Sequence, residues 1–198
     1  MRKRYNIITS TVRLYMKIFW RLEIINRDRL SDISECIIVA NHISAFDPPF
    51  IGSIIPQEIY YLAKVELFKN KIFGALLKSL NCIPVKRGKV DRNAVTMVMK
   101  VLDHGHSILI FPEGTRKSSR VKSGVGKFAI ETHKDIYPIY IHNSTNFLKC
   151  FLGKERLKIV IGERIKAVTF ADLESKRGDH QKLATRIMES VYRLKNEC

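Results

Sequence analysis

The chain has 198 residues, of which 45% are hydrophobic and 27% are charged, a composition that fits one folded domain and excludes a wholly disordered chain. The 35 Lys and Arg residues exceed the 19 Asp and Glu residues, and the formal net charge is +16. Such a surplus favours an anionic partner, which is a membrane surface, a phosphorylated substrate or a nucleic acid. No two cysteines form a CxxC pair, and the histidines are not spaced as they are in metal sites. No metal centre is therefore predicted.

Residues 1–30 are predicted to form an N-terminal amphipathic helix that contacts a membrane. Arg13, Lys17 and Arg21 recur every four residues and make a basic stripe along a helix over residues 5–25. Apolar residues flank this stripe on both sides, as in a helix that lies in a lipid interface. The alternative is an ordinary helix packed on the domain. An apolar arc opposite the stripe is predicted to face the core, and it includes Ile7, Leu14, Ile18, Leu22 and Ile25.

The longest stretch without a charged residue, 136–148, has 13 residues, fewer than a helix needs to span a bilayer. The N-terminal segment also lacks the small-residue cleavage site of a signal peptide. We therefore expect peripheral or monotopic attachment to the cytoplasmic face of the cell membrane.

From residue 31 onward, short apolar runs alternate with helical stretches, which predicts one α/β domain whose mainly buried sheet is flanked by helices. Strands are predicted at 36–41, 59–63, 82–85, 107–111, 137–141 and 157–161, and helices at 48–55, 71–80, 91–104, 125–133 and 181–195.

His42 and Asp47 follow the first of these strands. A histidine can accept a proton from a hydroxyl near neutral pH, and a carboxylate can orient its ring. Five residues apart on an α-helix, the two side chains would diverge by about 140°, so a turn must join them. Asp47 precedes Pro48 and is predicted to be a helix N-cap. Plain capping, beside a structural histidine, is the alternative to catalysis.

Two further loops at strand ends are candidates for phosphate binding. One carries Glu113, Gly114, Thr115 and Arg116, and the other carries Lys86 and Arg87. Ligands of α/β proteins usually bind at the carboxyl ends of strands, and a guanidinium suits phosphate. Lys86, Arg87 and Arg116 are predicted to hold one phosphate group, although each taken alone also fits a solvated loop charge.

In order and spacing, the segments 41–47, 83–88, 111–116 and 137–140 resemble the four motif blocks of the HxxxxD glycerolipid acyltransferases. Within that family the chain is most similar to bacterial 1-acyl-glycerol-3-phosphate acyltransferases. The resemblance implies a single acyltransferase domain at residues 31–198, with a mixed sheet.

The resemblance also implies a reaction and roles for the candidate residues. A fatty acyl chain would pass from acyl-CoA or acylated acyl carrier protein to the free hydroxyl of 1-acyl-glycerol 3-phosphate, giving phosphatidic acid. The thioester would be a co-substrate, and no further cofactor would be needed. His42 would be the general base and Asp47 would orient it. The second and third blocks would bind the glycerol phosphate. The alternatives are an acyltransferase acting on glycerol 3-phosphate or another lysolipid and, more remotely, a basic nucleic-acid-binding module.

Overall fold

A seven-stranded sheet forms the centre of the computed structural model, which describes residues 2–86, 88, 91–115 and 120–198. The strands are β1 Glu23–Ile25, β2 Ile37–Ala40, β3 Ile59–Lys64, β4 Cys82–Val85, β5 Ser107–Ile110, β6 Ile136–His142 and β7 Lys158–Ile161. Their order in the sheet is β1-β7-β6-β2-β5-β3-β4, and only the β6–β7 pair among them is antiparallel. The predicted mixed sheet is confirmed.

Helices cover both faces of this sheet. They are α1 Arg2–Phe19, α2 Asp47–Ile54, α3 Lys71–Ser79, α4 Arg92–Asp103, α5 Gly124–Thr132, α6 Phe147–Phe151 and α7 Arg177–Arg193. Side chains of α1 and α2 pack on one face of the sheet, and side chains of α4, α5 and α7 pack on the other. Because successive residues of β2 point to opposite faces, all four of them are buried in one core or the other.

The N-terminal helix is shorter than predicted. It ends at Phe19, and the chain turns through Arg21, whose φ of 51° lies in the left-handed region. The Glu23 N–H then donates to the Leu157 carbonyl at 2.9 Å, and β1 pairs with β7. The prediction of helix up to residue 25 was therefore wrong, because pairing with a distant strand overrides the local helical pattern. The sheet thus includes a strand from the segment 1–30.

The core-facing side of α1 also differs from the prediction. Tyr5, Met16 and Trp20 are buried, whereas Ile7, Leu14 and Ile18 are exposed. Both arcs of the helix are apolar, so helical periodicity alone could not choose between them. The choice comes from contacts with the sheet face, where the Tyr5 and Tyr61 hydroxyls lie 2.9 Å apart.

One residue of the basic stripe also faces inward, since Arg13 Nε donates to the Ser53 carbonyl of α2 at 2.7 Å. Among the helices of the described residues, none is both long enough and apolar enough to cross a membrane.

Parallel pairing places the candidate site. β2 lies between β5 and β6 and runs parallel to both, with Val39 opposite Ile110 and Ala40 opposite Ile139. The segments that leave the carboxyl ends of β2 and β5 are therefore neighbours at one edge of the sheet.

Candidate active site

The turn that follows β2 brings His42 and Asp47 together. His42 Nδ1 lies 2.9 Å from Asp47 Oδ2. The residues between them form a turn, and α2 begins at Asp47 itself. The predicted meeting of the two side chains is therefore observed.

Asp47 does not act as the helix N-cap that the sequence predicted. Phe46 occupies the N-cap position, and its side chain makes no capping bond. The Asp47 carboxylate instead turns back, and Oδ2 accepts the backbone N–H groups of Ile43 and Ser44, each at 2.7 Å. The prediction was wrong because these two N–H groups converge on the carboxylate from the turn, while Pro48 and Pro49 offer it no N–H in the first helical turn.

Burial and hydrogen bonds fix the orientation of the Asp47 carboxylate. The residue is 0% exposed. Its second oxygen, Oδ1, accepts the hydroxyl of Ser144 at 2.5 Å. Ser144 is itself buried and lies just after β6. With donors on both oxygens, the carboxylate has one orientation in which to meet the histidine ring.

The imidazole of His42 is packed but not sealed from solvent. It stacks on the ring of Phe111, with the centroids 4.4 Å apart, and 11% of its side chain is exposed. Donation of the Nδ1 proton to Asp47 leaves the lone pair on Nε2, the nitrogen on the other side of the ring. That atom is then able to accept a proton from a substrate.

Glu113, from the loop after β5, holds the backbone of the histidine. The His42 N–H donates to Glu113 Oε2 at 3.1 Å. The hydroxyl of Tyr192, on α7, donates to the other oxygen, Oε1. Burial raises the pKa of Tyr192, and its bond to Glu113 raises it further. Both oxygens of Glu113 thus have protein donors, while its predicted role in substrate binding stays a prediction.

The rest of this loop is compact. Gly114 has a φ of 67°, in the left-handed region, and its N–H donates to the Phe111 carbonyl at 2.9 Å. A side chain at Gly114 would displace the Lys122 side chain, whose Nζ would lie 2.5 Å from the added Cβ. Thr115 follows and is half-buried. Glycine therefore suits this position for its conformation and for the approach of the lysine.

Within the residues that it describes, the structure does not bring the other predicted phosphate ligands close to His42. Arg87 and Arg116 lie outside the part of the chain that the structure describes. Lys86 is exposed and follows β4, three strand positions from β2, which corresponds to about 14 Å across the sheet. Its backbone N–H donates to Asp91 at 2.9 Å. The phosphate-binding role of these cations stays a prediction.

Sequence reasoning did not find Ser144 or Tyr192. Ser144 lies 97 residues from Asp47, and Tyr192 lies 79 residues from Glu113. No motif spacing spans such distances. The one available signal was position, because Ser144 follows the fourth block after three residues. Among the described residues, no group of three or more His, Cys, Asp or Glu side chains could hold a metal ion.

Known acyltransferases are similar in sequence to this chain. The Acyltransferase family model matches residues 21–142, which include His42, Asp47 and Glu113. A 1-acyl-sn-glycerol-3-phosphate acyltransferase of Bacillus subtilis is 29% identical over 175 residues, 87% of each chain. A protein of the same name from Streptococcus pneumoniae is 28% identical over 176 residues, 87% of this chain and 65% of that protein.

A solved structure shows the same fold. The crystal structure of the 1-acyl-sn-glycerophosphate (LPA) acyltransferase of Thermotoga maritima superposes with a TM-score of 0.69 and 21% identity, over 98% of this chain and 79% of that one. The family match extends over more than half of the chain and contains the histidine and the aspartate that meet at the sheet edge. The chain therefore belongs to the Acyltransferase family and is an enzyme of that type.

Proposed function

We propose that this chain transfers a fatty acyl group from an acyl thioester to the free hydroxyl of 1-acyl-glycerol 3-phosphate, giving phosphatidic acid. The donor is acyl-CoA or acylated acyl carrier protein. The contact between His42 Nδ1 and the buried Asp47 carboxylate carries the proposal, and the names of the relatives support the choice of acceptor.

The reaction needs one group that accepts a proton next to the hydroxyl of 1-acyl-glycerol 3-phosphate. His42 Nε2 takes the hydroxyl proton while the oxygen attacks the thioester carbonyl, and the negative charge of Asp47 stabilises the imidazolium. The tetrahedral intermediate collapses with cleavage of the C–S bond, and the imidazolium returns the proton to the departing thiolate. No covalent acyl-enzyme is required.

The experiment is an acyl-transfer assay scored by product mass. Purified protein receives lysophosphatidic acid with acyl-CoA or acylated acyl carrier protein, and parallel reactions offer glycerol 3-phosphate or another lysolipid. We expect phosphatidic acid from the wild type and a loss of about 10²- to 10⁴-fold for His42→Ala. The exposed His104→Ala serves as control. Full activity of a folded His42→Ala variant, or product from another acceptor only, would contradict the proposal.

We further propose that the chain docks peripherally on an anionic membrane, on the cytoplasmic face where its thioester donors are present. The docking surface combines the outer side of α1 with α6. Its exposed apolar members are Ile7, Leu14, Ile18, Phe147, Leu148, Phe151 and Leu152.

Aromatic contacts connect this apolar surface with the proposed catalytic turn, in part through the buried Trp20. Phe19 of α1 stacks on Phe151 of α6, with centroids 6.1 Å apart. Trp20 lies 5.3 Å from Phe147 and 6.5 Å from Phe46, the neighbour of Asp47. A surface of this kind suits the lipid interface. The net charge of +16 favours anionic headgroups.

Vesicle co-sedimentation tests the docking. Leu148→Glu combined with Phe151→Glu is expected to release the protein from vesicles that contain phosphatidylglycerol, because two carboxylates replace apolar side chains at the lipid interface. The control is Val168→Glu, at an aliphatic residue that is 75% exposed and lies outside the docking surface. Equal sedimentation of both variants would contradict the proposed surface.

A further inference from the structure

A concave site lies beside the loop that follows β5. We call it the α7 cleft. It has a volume of about 630 Å³, within the range of small-molecule sites. The cleft is lined by Arg120, Val121, Lys122, Ser123, Arg177, Gln181 and Thr185.

The α7 cleft is joined to the catalytic site through the β5 loop. The Lys122 N–H donates to the Pro112 carbonyl at 2.9 Å, next to Glu113. The Lys122 side chain lies against Gly114. On the other side, Gln181 Nε2 donates to the Val121 carbonyl at 3.1 Å and ties α7 to the loop. One loop therefore borders both the histidine and the cleft.

The charge of the cleft is cationic. Lys122 and Arg177 are both exposed, and within the described residues neither forms an ion pair with a carboxylate. Arg120 lines the same space. The side chains of Ser123, Gln181 and Thr185 add polar groups. Such a lining suits phosphate groups, which guanidinium and ammonium groups bind by charge-assisted hydrogen bonds.

The length of α7 distinguishes two candidate ligands that carry phosphate, the glycerol acceptor and coenzyme A. Tyr192 reaches the catalytic site through Glu113, whereas Arg177 lies fifteen residues earlier on the same helix, about 22 Å along its axis. The phosphate of a glycerol acceptor is only a few bonds from the hydroxyl that attacks at His42, so a phosphate bound by Arg177, at the far end of α7 from Tyr192, would belong to a longer ligand. In coenzyme A, by contrast, a long pantetheine arm separates the thioester from the phosphates.

Resting on the proposed function, we propose that the α7 cleft binds the phosphate-bearing nucleotide end of a coenzyme A thioester while the thioester lies at His42. The concave shape of the cleft fits a nucleotide better than the convex surface of a carrier protein. The cleft thus assigns the donor end of the reaction to α7, a helix that follows the segment matched by the family model.

Binding of adenosine 3′,5′-bisphosphate, measured by calorimetry, tests the cleft without turnover. We expect saturable binding to the wild type and at least about tenfold weaker binding to Arg177→Glu, the loss of one charge-assisted contact. Arg177 is the first residue of α7, where a carboxylate is tolerated by the helix dipole. The control is Arg186→Glu on the same helix, which lines a different cleft and is expected to bind as the wild type does.

Kinetics with two donors completes the test. Arg177→Glu is expected to raise the KM for acyl-CoA about tenfold with kcat unchanged, and to leave the KM for acyl-pantetheine, which lacks the nucleotide, as in the wild type.

Absence of bisphosphate binding, equal binding by both variants, or an enzyme that uses acyl carrier protein alone would overturn the inference. Bisphosphate binding by a wild type that transfers no acyl group would support the cleft as a nucleotide site and overturn the function.

Discussion

The Ser144 hydroxyl donates a 2.5 Å hydrogen bond to Asp47 Oδ1, while Asp47 Oδ2 faces His42. Each oxygen of this buried carboxylate thereby has its own task. One is held by the segment after β6, and the other orients the imidazole. The proposed catalytic pair thus depends on two adjacent strands, β2 and β6.

Asp47→Asn is expected to lower kcat by about 10²- to 10⁴-fold, because the amide supplies no negative charge to stabilise the His42 imidazolium. Steady-state kinetics with lysophosphatidic acid measures the change. Asp172→Asn, at an exposed position, is the control and should match the wild type. Activity of Asp47→Asn within a factor of about two of this control would contradict the assigned role of Asp47.

Ser144→Ala is expected to lower kcat about tenfold with little change in KM, since the loss of one hydrogen bond frees the carboxylate to rotate. Ser144→Thr retains the hydroxyl and should restore most of the loss. Ser190→Ala, whose hydroxyl donates to the Arg186 carbonyl within α7, controls for loss of a hydroxyl. A reduction in Ser144→Ala that Ser144→Thr does not rescue would show that packing, and not the hydrogen bond, matters there.

Tyr192→Phe is expected to lower kcat about tenfold, because Glu113 loses a donor and holds the His42 N–H less firmly. The split between kcat and KM separates this role from a purely structural one, since a less oriented histidine lowers kcat and leaves KM as in the wild type. Tyr15→Phe, on the outer side of α1, is the control. An unchanged kcat would remove Tyr192 from the positioning of His42.

Tyr5→Phe is expected to lower the free energy of unfolding by about 1–3 kcal/mol. It leaves the buried Tyr61 hydroxyl and the Ile59 N–H without the partner they have at 2.9 Å and 3.2 Å. Urea denaturation measures the loss, and Tyr15→Phe again serves as control. No change in stability would contradict the docking of α1 on the sheet.

The same tyrosine pair predicts a dependence of stability on alkaline pH. Burial raises the pKa of Tyr5 and of Tyr61 in the folded state. Their stabilising contribution is therefore complete below the unfolded pKa of about 10 and is lost as the pH rises through the folded values. Denaturation series at rising alkaline pH should show a steeper loss in the wild type than in Tyr5→Phe. An equal loss of stability with rising pH in the two proteins would contradict the role given to this tyrosine pair.

Much of the candidate active site could be predicted because its parts are local in the chain or lie at strand ends. His42 and Asp47 are five residues apart around one turn, and alternation of strands and helices indicates a sheet whose parallel strands bring the loops after β2 and β5 together. Those predictions rest on periodicity and on short spacing, which the sequence displays directly.

The short elements β1 and α6 were not predicted. β1 has three residues and α6 has five, too few for periodicity to mark them. β1 exists because β7 offers it a parallel partner. The core face of α1 was likewise decided by the position of Tyr61 and not by the helix itself.

The amino-acid sequence by itself determined the α/β class, the basic character of the chain and the proximity of His42 and Asp47, since residue type and local spacing carry these features. Only the tertiary structure decided that Ser144 and Tyr192 support the site from far along the chain, and that Asp47 bonds to the preceding turn instead of capping α2. The physical reason is that hydrogen-bond partners are selected by packing in three dimensions, which no spacing along the chain records.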